Sequence, residues 1–222
     1  MGTSVSGVGV LDKAFAVLDA LEGRPRSLAE LVESTGLSRA TAHRLATALE
    51  AHGLVRRDDD GRFALGARLI SLGRAAADGV PLAAAAADAL EELRDATGES
   101  VQLYVRVGDQ RVCVAALQSP HGLRTIVPLG ASLPLSVGSA GRLLGDDPPP
   151  TTGSGWLASV GEREAGVASV SAPVRDAAGH IVAAVSVSGP IERTSRQPGR
   201  RYGPAVVAAA RRVEREAGLR PE

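Results

Sequence analysis

The chain has 222 residues, 44% hydrophobic but only 2% aromatic, with 25 basic against 25 acidic side chains and one cysteine. A chain of this size buries roughly 70% of its unfolded surface as one large or two small domains, and its shortage of rings excludes the base-stacking platforms of single-strand binders. Zero net charge provides no bulk attraction to nucleic acid or membranes, so any DNA contact must come from a local patch. A lone Cys113 excludes an internal disulfide framework and a thiolate zinc cluster, and it reads as a small buried residue. Met1 to Gly9 shows no charged segment followed by an apolar run, and no stretch reaches about 18 consecutive apolar residues. The expectation is a cytoplasmic chain with no membrane partner.

Leu11, Phe15, Leu18 and Leu21 recur every three or four residues, which predicts a one-faced helix over Val10 to Leu21 that Gly23 and Pro25 end. Ser27 and Glu30 form a capping box ahead of Leu28, Leu31 and Val32, so a short second helix follows. It stops in "STGL", where Gly36 can take positive φ, and Ser38 then caps a third helix. Two helices joined by a short glycine-containing turn make a helix-turn-helix.

On a 100° wheel the third helix, Arg39 to His52, places Ala42, Leu45, Ala46 and Leu49 on one face. Ala40, His43, Arg44, Thr47 and Ala51 fall opposite, with Arg39 and Glu50 on the flank. Such a small, polar and basic face suits close approach to base edges in a major groove. Arg39, Ala40, His43 and Arg44 lie in the half that contacts bases in helix-turn-helix docking, next to Ser38 and Thr41 at the helix start.

After Gly53, "LVRRDDDGRFAL" predicts two short strands, Leu54–Val55 and Phe63–Leu65, around an Asp-Asp-Gly turn. This is a wing whose Arg56, Arg57 and Arg62 stand where a phosphate backbone would run, with its acidic tip held away. Residues 1–79 hold ten basic and ten acidic side chains, whereas 36–57 hold four arginines against Glu50 alone, so a neutral domain carries a basic reading face.

From Ala67 the chain is read as a connection up to a boundary at Gly79 and Pro81, with an alanine-rich helix over Leu82 to Thr97. "ESVQLYVRVGDQRVCVAAL" predicts two strands joined at Gly108 and Asp109, and "GLRTIVPLG" a third. "GVASVSAPV" and "HIVAAVSVSGP" form another hairpin across "RDAAG", and a last helix runs from Pro204 to Glu216. Helices flanking an antiparallel sheet give an α+β domain.

Chemistry is sparse in this half. No two of His43, His52, His121 and His180 have metal-ligand spacing, so no metal or other cofactor is expected. Glu162 and Glu164 lack a matching acid, base or nucleophile, so no catalytic residue is assigned. The serines of "ASVSAPV" and "AVSVSGP" alternate with valines: on a covered face they could anchor a small polar ligand, and facing water they mean nothing.

Taken together, "VGVLDKAFAVLDALE", "SLAELVESTGLSRATAHRLATALEAHGLVRRDDDGRFALG", "GESVQLYVR", "LPLSVGSAGRLL" and "VAAVSVSGPIER" resemble the IclR family of bacterial transcription regulators from Val8 to about Ala217. Within it, "GEREAGVASVSAPVR" is most similar to the actinobacterial NdgR-type branch, associated with amino-acid biosynthesis and notably the leucine pathway. The resemblance implies a winged helix-turn-helix, a linker helix that helps dimerise, and a GAF-like effector domain, divided here as residues 1–79 and 80–222. It places the reading helix on Arg39 to Leu49 and the wing on Arg56 to Phe63. The effector site falls on Leu133, Leu135, Gly138, Ser139, Val167, Ser169, Ser186 and Ser188. Implied partners are double-stranded operator DNA, a small polar metabolite (an amino acid or precursor acid), and a second copy, as a homodimer or dimer of dimers. One segment departs from the family. "DDPPPTTGS" replaces a longer, partly helical stretch with an extended bridge, so the pocket is expected to be more open or altered. The rival class is a GAF-like enzyme, such as a thiol reductase, or a sensor whose winged helix binds protein; Cys113 without a resolving partner argues against the enzyme.

Overall fold

A computed structural model describes residues 8–79, 81–148 and 155–219. The first seven residues and the proline-rich bridge over 149–154 lie outside the described residues. The chain divides into two compact units, Met1–Ala76 and Ala77–Glu222.

The first unit begins with α1 (Gly9–Leu21), α2 (Leu28–Thr35) and α3 (Arg39–Ala51), followed by the hairpin β1 (Val55–Arg57) and β2 (Phe63–Leu65). Its core joins Val17, Leu21, Leu31, Leu45, Ala46 and Leu49 to Val55 and Phe63 of the hairpin. Both halves of the Ser27–Glu30 capping box are made, so α2 starts with two of its free amide groups satisfied. Gly36 at φ +67° ends α2, donating its N–H to the Val32 carbonyl, and Ser38 opens α3 by accepting from the Thr41 amide. Arg26 adds a two-bond bridge to Phe63, tying the chain before α2 to the wing.

Gly66 follows β2 with its N–H bonded to the Leu54 carbonyl. A Cβ there would collide with the backbone of Gly53, so only glycine lets the chain cross at this point. The segment read as a connection then forms α4 (Arg68–Asp78). Its start is anchored by the Arg68 guanidinium on the His52 carbonyl at 3.0 Å. Ile70 and Leu72 remain 62% and 49% exposed, so this helix lacks the buried apolar stripe by which sequence periodicity reveals helices.

The second unit runs α5 (Pro81–Ala85), α6 (Ala87–Thr97), β3 (Ser100–Val107), β4 (Gln110–Leu117), β5 (Ser132–Pro134), α7 (Ser139–Leu144), β6 (Leu157–Val160), β7 (Val167–Arg175), β8 (Ile181–Pro190), α8 (Ile191–Thr194) and α9 (Pro198–Glu216). The strands form one antiparallel sheet in the order β5-β4-β3-β8-β7-β6. Val101 and Leu103 of β3, Val170, Ala172 and Val174 of β7, and Val185 and Val187 of β8 pack with Leu90 and Leu93 of α6 and Val206, Ala210 and Val213 of α9. Tyr104, Cys113 and Ala184 pack in a separate cluster with Leu143 and Leu144 of α7. Helices thus cover the antiparallel sheet in an α+β unit.

Several elements differ from the sequence expectation. The alanine-rich helix divides at Ala86, although the Ala86→Leu82 and Leu90→Ala86 backbone bonds carry across the break. "GLRTIVPLG" is not a strand: Pro128 lacks a donor, Gly130 turns at φ +81°, and the chain bonds β4 first at Gly130 and Ala131, through Cys113, before the regular pairing of Ser132–Pro134. β6 was unread. α9 begins at Pro198, which occupies the helix start as proline does well, rather than at Pro204. Gly199 and Gly203 on its first turns leave room for the Trp156 ring, where a Cβ on either would collide with the indole.

At one end of the sheet Glu99, 1% exposed, is gripped by Arg193 through Nε–Oε1 at 2.5 Å and Nη2–Oε2 at 2.8 Å. Arg193 also donates to the Leu123 carbonyl at 3.0 Å, joining the residue before β3, α8 and the loop after β4. Arg193→Ala leaves a buried carboxylate without its cation, so it is expected to destabilise the second unit by about 3 kcal/mol, measured by urea unfolding. In the first unit, the Ser27 amide and then Arg24 hold the Glu30 carboxyl down to about 2, against an ordinary value of 4.5. The folded value lies below the unfolded one, so this stabilisation is present above about pH 4.5 and disappears as pH falls toward about 2. Glu30→Gln is expected to flatten that acid limb in a pH series of thermal unfolding curves.

Candidate nucleic-acid interface and ligand cavity

The Ser38 cap fixes where α3 starts, its oxygen 3.3 Å from the Thr41 amide and 2.9 Å from the Thr41 hydroxyl. From there the helical period turns Ala42, Leu45, Ala46 and Leu49 into the core and leaves Arg39, Ala40, His43, Arg44 and Thr47 exposed. Ser38 and Thr41 are therefore occupied with each other at the helix start. The basic residues behind them point to solvent.

The wing is built around Asp58. Its carboxylate accepts from the amides of Asp60 and Arg62 at 3.1 and 2.8 Å, and Gly61 at φ +73° closes the turn. The three consecutive aspartates thus sit at the hairpin turn, with Arg56 and Arg62 exposed on either side. Arg57 is held more tightly. Its guanidinium stacks 4.1 Å over the Phe63 ring, donates to the Gly61 carbonyl at 3.0 Å and lies 3.5 Å from Glu50 of α3. It links the wing to the third helix, whereas Arg39, Arg44, Arg56 and Arg62 make no side-chain hydrogen bond or ion pair among the described residues.

In the second unit the two-residue period of the strands puts every serine of the hairpin on the face that α7 covers. Across the sheet Ser159 pairs with Ser169, Ser169 with Ser188, Ser171 with Ser186, and Ser186 with Gln102. Their hydroxyls connect: Ser159 to Ser169 at 2.9 Å, Ser139 of α7 to both Ser169 and Ser171 at 2.8 Å, and Ser171 to Ser186 at 2.9 Å. Ser188 donates to the Gln102 carbonyl oxygen at 3.1 Å. Between them lies a cavity of about 20 Å³, space for one water.

Of the residues that the resemblance assigns to an effector site, Gly138, Ser139, Val167, Ser169, Ser186 and Ser188 line this cavity. Leu133 and Leu135 do not. They pack in the cluster of Leu143 and Leu144, because β5 pairs with β4 at the sheet edge and turns them toward α7. The cavity also draws in Gln102, Tyr104, Arg111, Ser159 and Arg163, which sequence reasoning missed. Gln102 and Tyr104 share a strand face by alternation, and Ser171 follows Ser169 at the same period. Arg111 carries no such signal, since a buried arginine breaks the pattern that identifies a core strand.

Burial pushes the Cys113 thiol up to about 12, leaving no thiolate at neutral pH. Among the described residues no three His, Cys, Asp or Glu side chains gather as a metal site, and no helix is long and apolar enough to cross a membrane.

Residues 10–59 match the IclR helix-turn-helix domain, and residues 74–146 and 149–215 match the bacterial transcriptional regulator IclR C-terminal domain. The glycerol operon regulatory protein of Streptomyces coelicolor is 31% identical over 94% of this chain and 96% of its own length. An IclR transcriptional regulator from Alicyclobacillus acidocaldarius has the same fold, with a TM-score of 0.78, 22% identity, and coverage of 97% of this chain and 100% of that one. So does an IclR homologue from Microbacterium hydrocarbonoxydans, solved with 4-hydroxybenzoate, with a TM-score of 0.74, 19% identity, and coverage of 94% and 99%. With both units matched and a full-length relative that regulates an operon, the chain belongs to the IclR family of bacterial DNA-binding transcription regulators and is a regulator, not an enzyme.

Proposed function

We propose that residues 1–79 bind double-stranded operator DNA in the cytoplasm and that residues 80–222 form the effector-binding and dimerisation domain. In this reading Arg39, Ala40, His43, Arg44 and Thr47 face base edges in the major groove, and Ser38 and Thr41 set the helix start beside the backbone. Arg56 and Arg62 contact phosphates, and Arg57 holds the wing against α3 while adding its charge to the same side. The observation that carries the reading is the exposed, ion-pair-free state of Arg39 and Arg44 on a helix whose opposite face is fully packed. Arginines at these places supply the bidentate donors that guanine edges accept.

The active form is a homodimer or a dimer of dimers. Val10, Leu11 and Phe15 of α1 are 61%, 50% and 61% exposed, and with Ile70 and Leu72 of α4 they supply apolar surface that a second copy would cover. A pair of reading helices then meets successive major grooves about 34 Å apart. A small polar metabolite in the serine cavity shifts this equilibrium by binding two conformations unequally. The Microbacterium homologue, solved with a small molecule bound, is the precedent.

The regulated pathway has two readings. Resemblance to the NdgR-type branch supports amino-acid metabolism of the leucine type, with an amino acid or precursor acid as effector. The Streptomyces relative's name supports glycerol utilisation instead.

Selecting bound sequences from a random duplex pool, with and without leucine-pathway acids or glycerol, tests the whole reading; no enriched operator would overturn it. Arg44→Ala is expected to cost about 1–3 kcal/mol at a cognate base pair and to relax preference there, and unchanged affinity and preference would remove its role. Arg62→Ala is expected to weaken all sequences alike and to lower the salt slope by about one unit, measured by titration across salt concentrations. Phe15→Glu is expected to shift the protein toward monomer in sedimentation velocity runs.

A further inference from the structure

The serine cavity contains a cation without a counter-ion. Arg111 of β4 is 3% exposed, its guanidinium carbon 5.4 Å from the Tyr104 ring centre. Its Nη1 donates to the carbonyls of Pro134 and Val137, both neutral, while its Nε is buried with no partner. Gly141 leaves room for this side chain: a Cβ there would collide with Nη1. Among the described residues Arg111 forms no ion pair, and Arg163, the other charged residue lining the cavity, has the same sign and pairs with Glu164 at 3.7 Å. Burial pushes the Tyr104 phenol up, so it stays neutral and supplies no compensating charge. A guanidinium does not escape by losing its proton.

A buried charge is costly unless paired, so this arrangement lacks an anion. Several features select the kind of anion. The free Nε belongs to a planar fork that matches two carboxylate oxygens. The hydroxyls of Ser139, Ser159, Ser169, Ser171 and Ser186 bond one another, and each can rotate to donate elsewhere. The space between them admits only a small group before side chains move.

We propose that Arg111 is the specificity-determining residue of this cavity and makes it select a small carboxylate over a neutral polyol of the same size. The proposal rests on reading the cavity as the effector site. The carboxylate takes the position of the missing counter-ion at the Arg111 fork, and the serine hydroxyls turn from one another toward its oxygens.

Calorimetry on the full-length protein tests this with formate, acetate and lactate, with glycerol as the neutral compound, and with chloride and phosphate as inorganic anions at matched ionic strength. Acetate or lactate is expected to bind at least about tenfold more tightly than glycerol, and Arg111→Gln to weaken that carboxylate by at least about tenfold, the loss of one charge-assisted contact. Arg111→Lys, which keeps the charge without the fork, is expected to fall between them. If Arg111→Gln does not fold, the wild-type contrast and the lysine variant decide. Glycerol binding as tightly as the carboxylates, phosphate or chloride binding better than all of them, Arg111→Gln retaining full carboxylate affinity, or no compound binding at all would each overturn the proposal. Carboxylate selectivity in a protein that enriches no operator would uphold the role of Arg111 while removing the DNA reading.

Discussion

The two-residue period of β7 and β8 is the constraint on which the second unit depends. Val170, Ala172, Val174, Val185 and Val187 must face α6 and α9 to build the main core. The strict alternation of a strand then forces Ser169, Ser171, Ser186 and Ser188 to the other side. A one-residue slip would turn the serines under α9 and the valines toward α7, so hydrophobic packing against α6 and α9 fixes the polar cavity's register without any contribution from the cavity itself. α7 covers that second face and adds Ser139, completing the hydroxyl chain. The valine core therefore holds the serine hydroxyls in place.

The first unit obtains its exposed basic face in a parallel way, with caps in place of strand register. The Ser27 box sets the start of α2, Gly36 its end, and Ser38 the start of α3. Once α3 begins at Arg39, its period decides that Leu45, Ala46 and Leu49 are buried and that Arg44 is not. Moving the cap by one residue would rotate every outward side chain by about 100°. Local hydrogen bonds at the helix termini thus determine which arginines are available to a partner.

The parts legible in the sequence are those where one local rule acts alone. Capped helices, the Asp-Gly turn of the wing and the serine-valine alternation each follow from a short stretch of residues. The parts missed are those decided by distant residues or by nothing buried. α4 shows Ile70 and Leu72 to solvent and so lacks a core stripe. The first turns of α9 read as breakers because of Gly199, Gly203 and Pro204, yet these glycines are what the Trp156 ring packs against. Leu133 and Leu135 carried over from family likeness as pocket residues, but edge pairing of β5 directs them into the α7 cluster. Arg111 was invisible for a different reason, since nothing local distinguishes a buried arginine from an exposed one in an edge-side strand.

Neutral charge and a basic face coexist in part because three acids of the first unit are engaged locally. Glu30 closes the capping box and pairs with Arg24, Asp58 accepts the amide bonds of the wing turn, and Glu50 lies beside Arg57. Carboxylates so engaged are directed into the backbone or onto one chosen cation, and they leave Arg39, Arg44, Arg56 and Arg62 unneutralised at short range. At physiological ionic strength, fields are screened over about 8 Å. What a DNA phosphate meets is therefore set by the nearest side chains and not by the sum over the domain. The zero in the charge count and the basic character of the α3–wing surface describe different lengths, and only the shorter one governs contact.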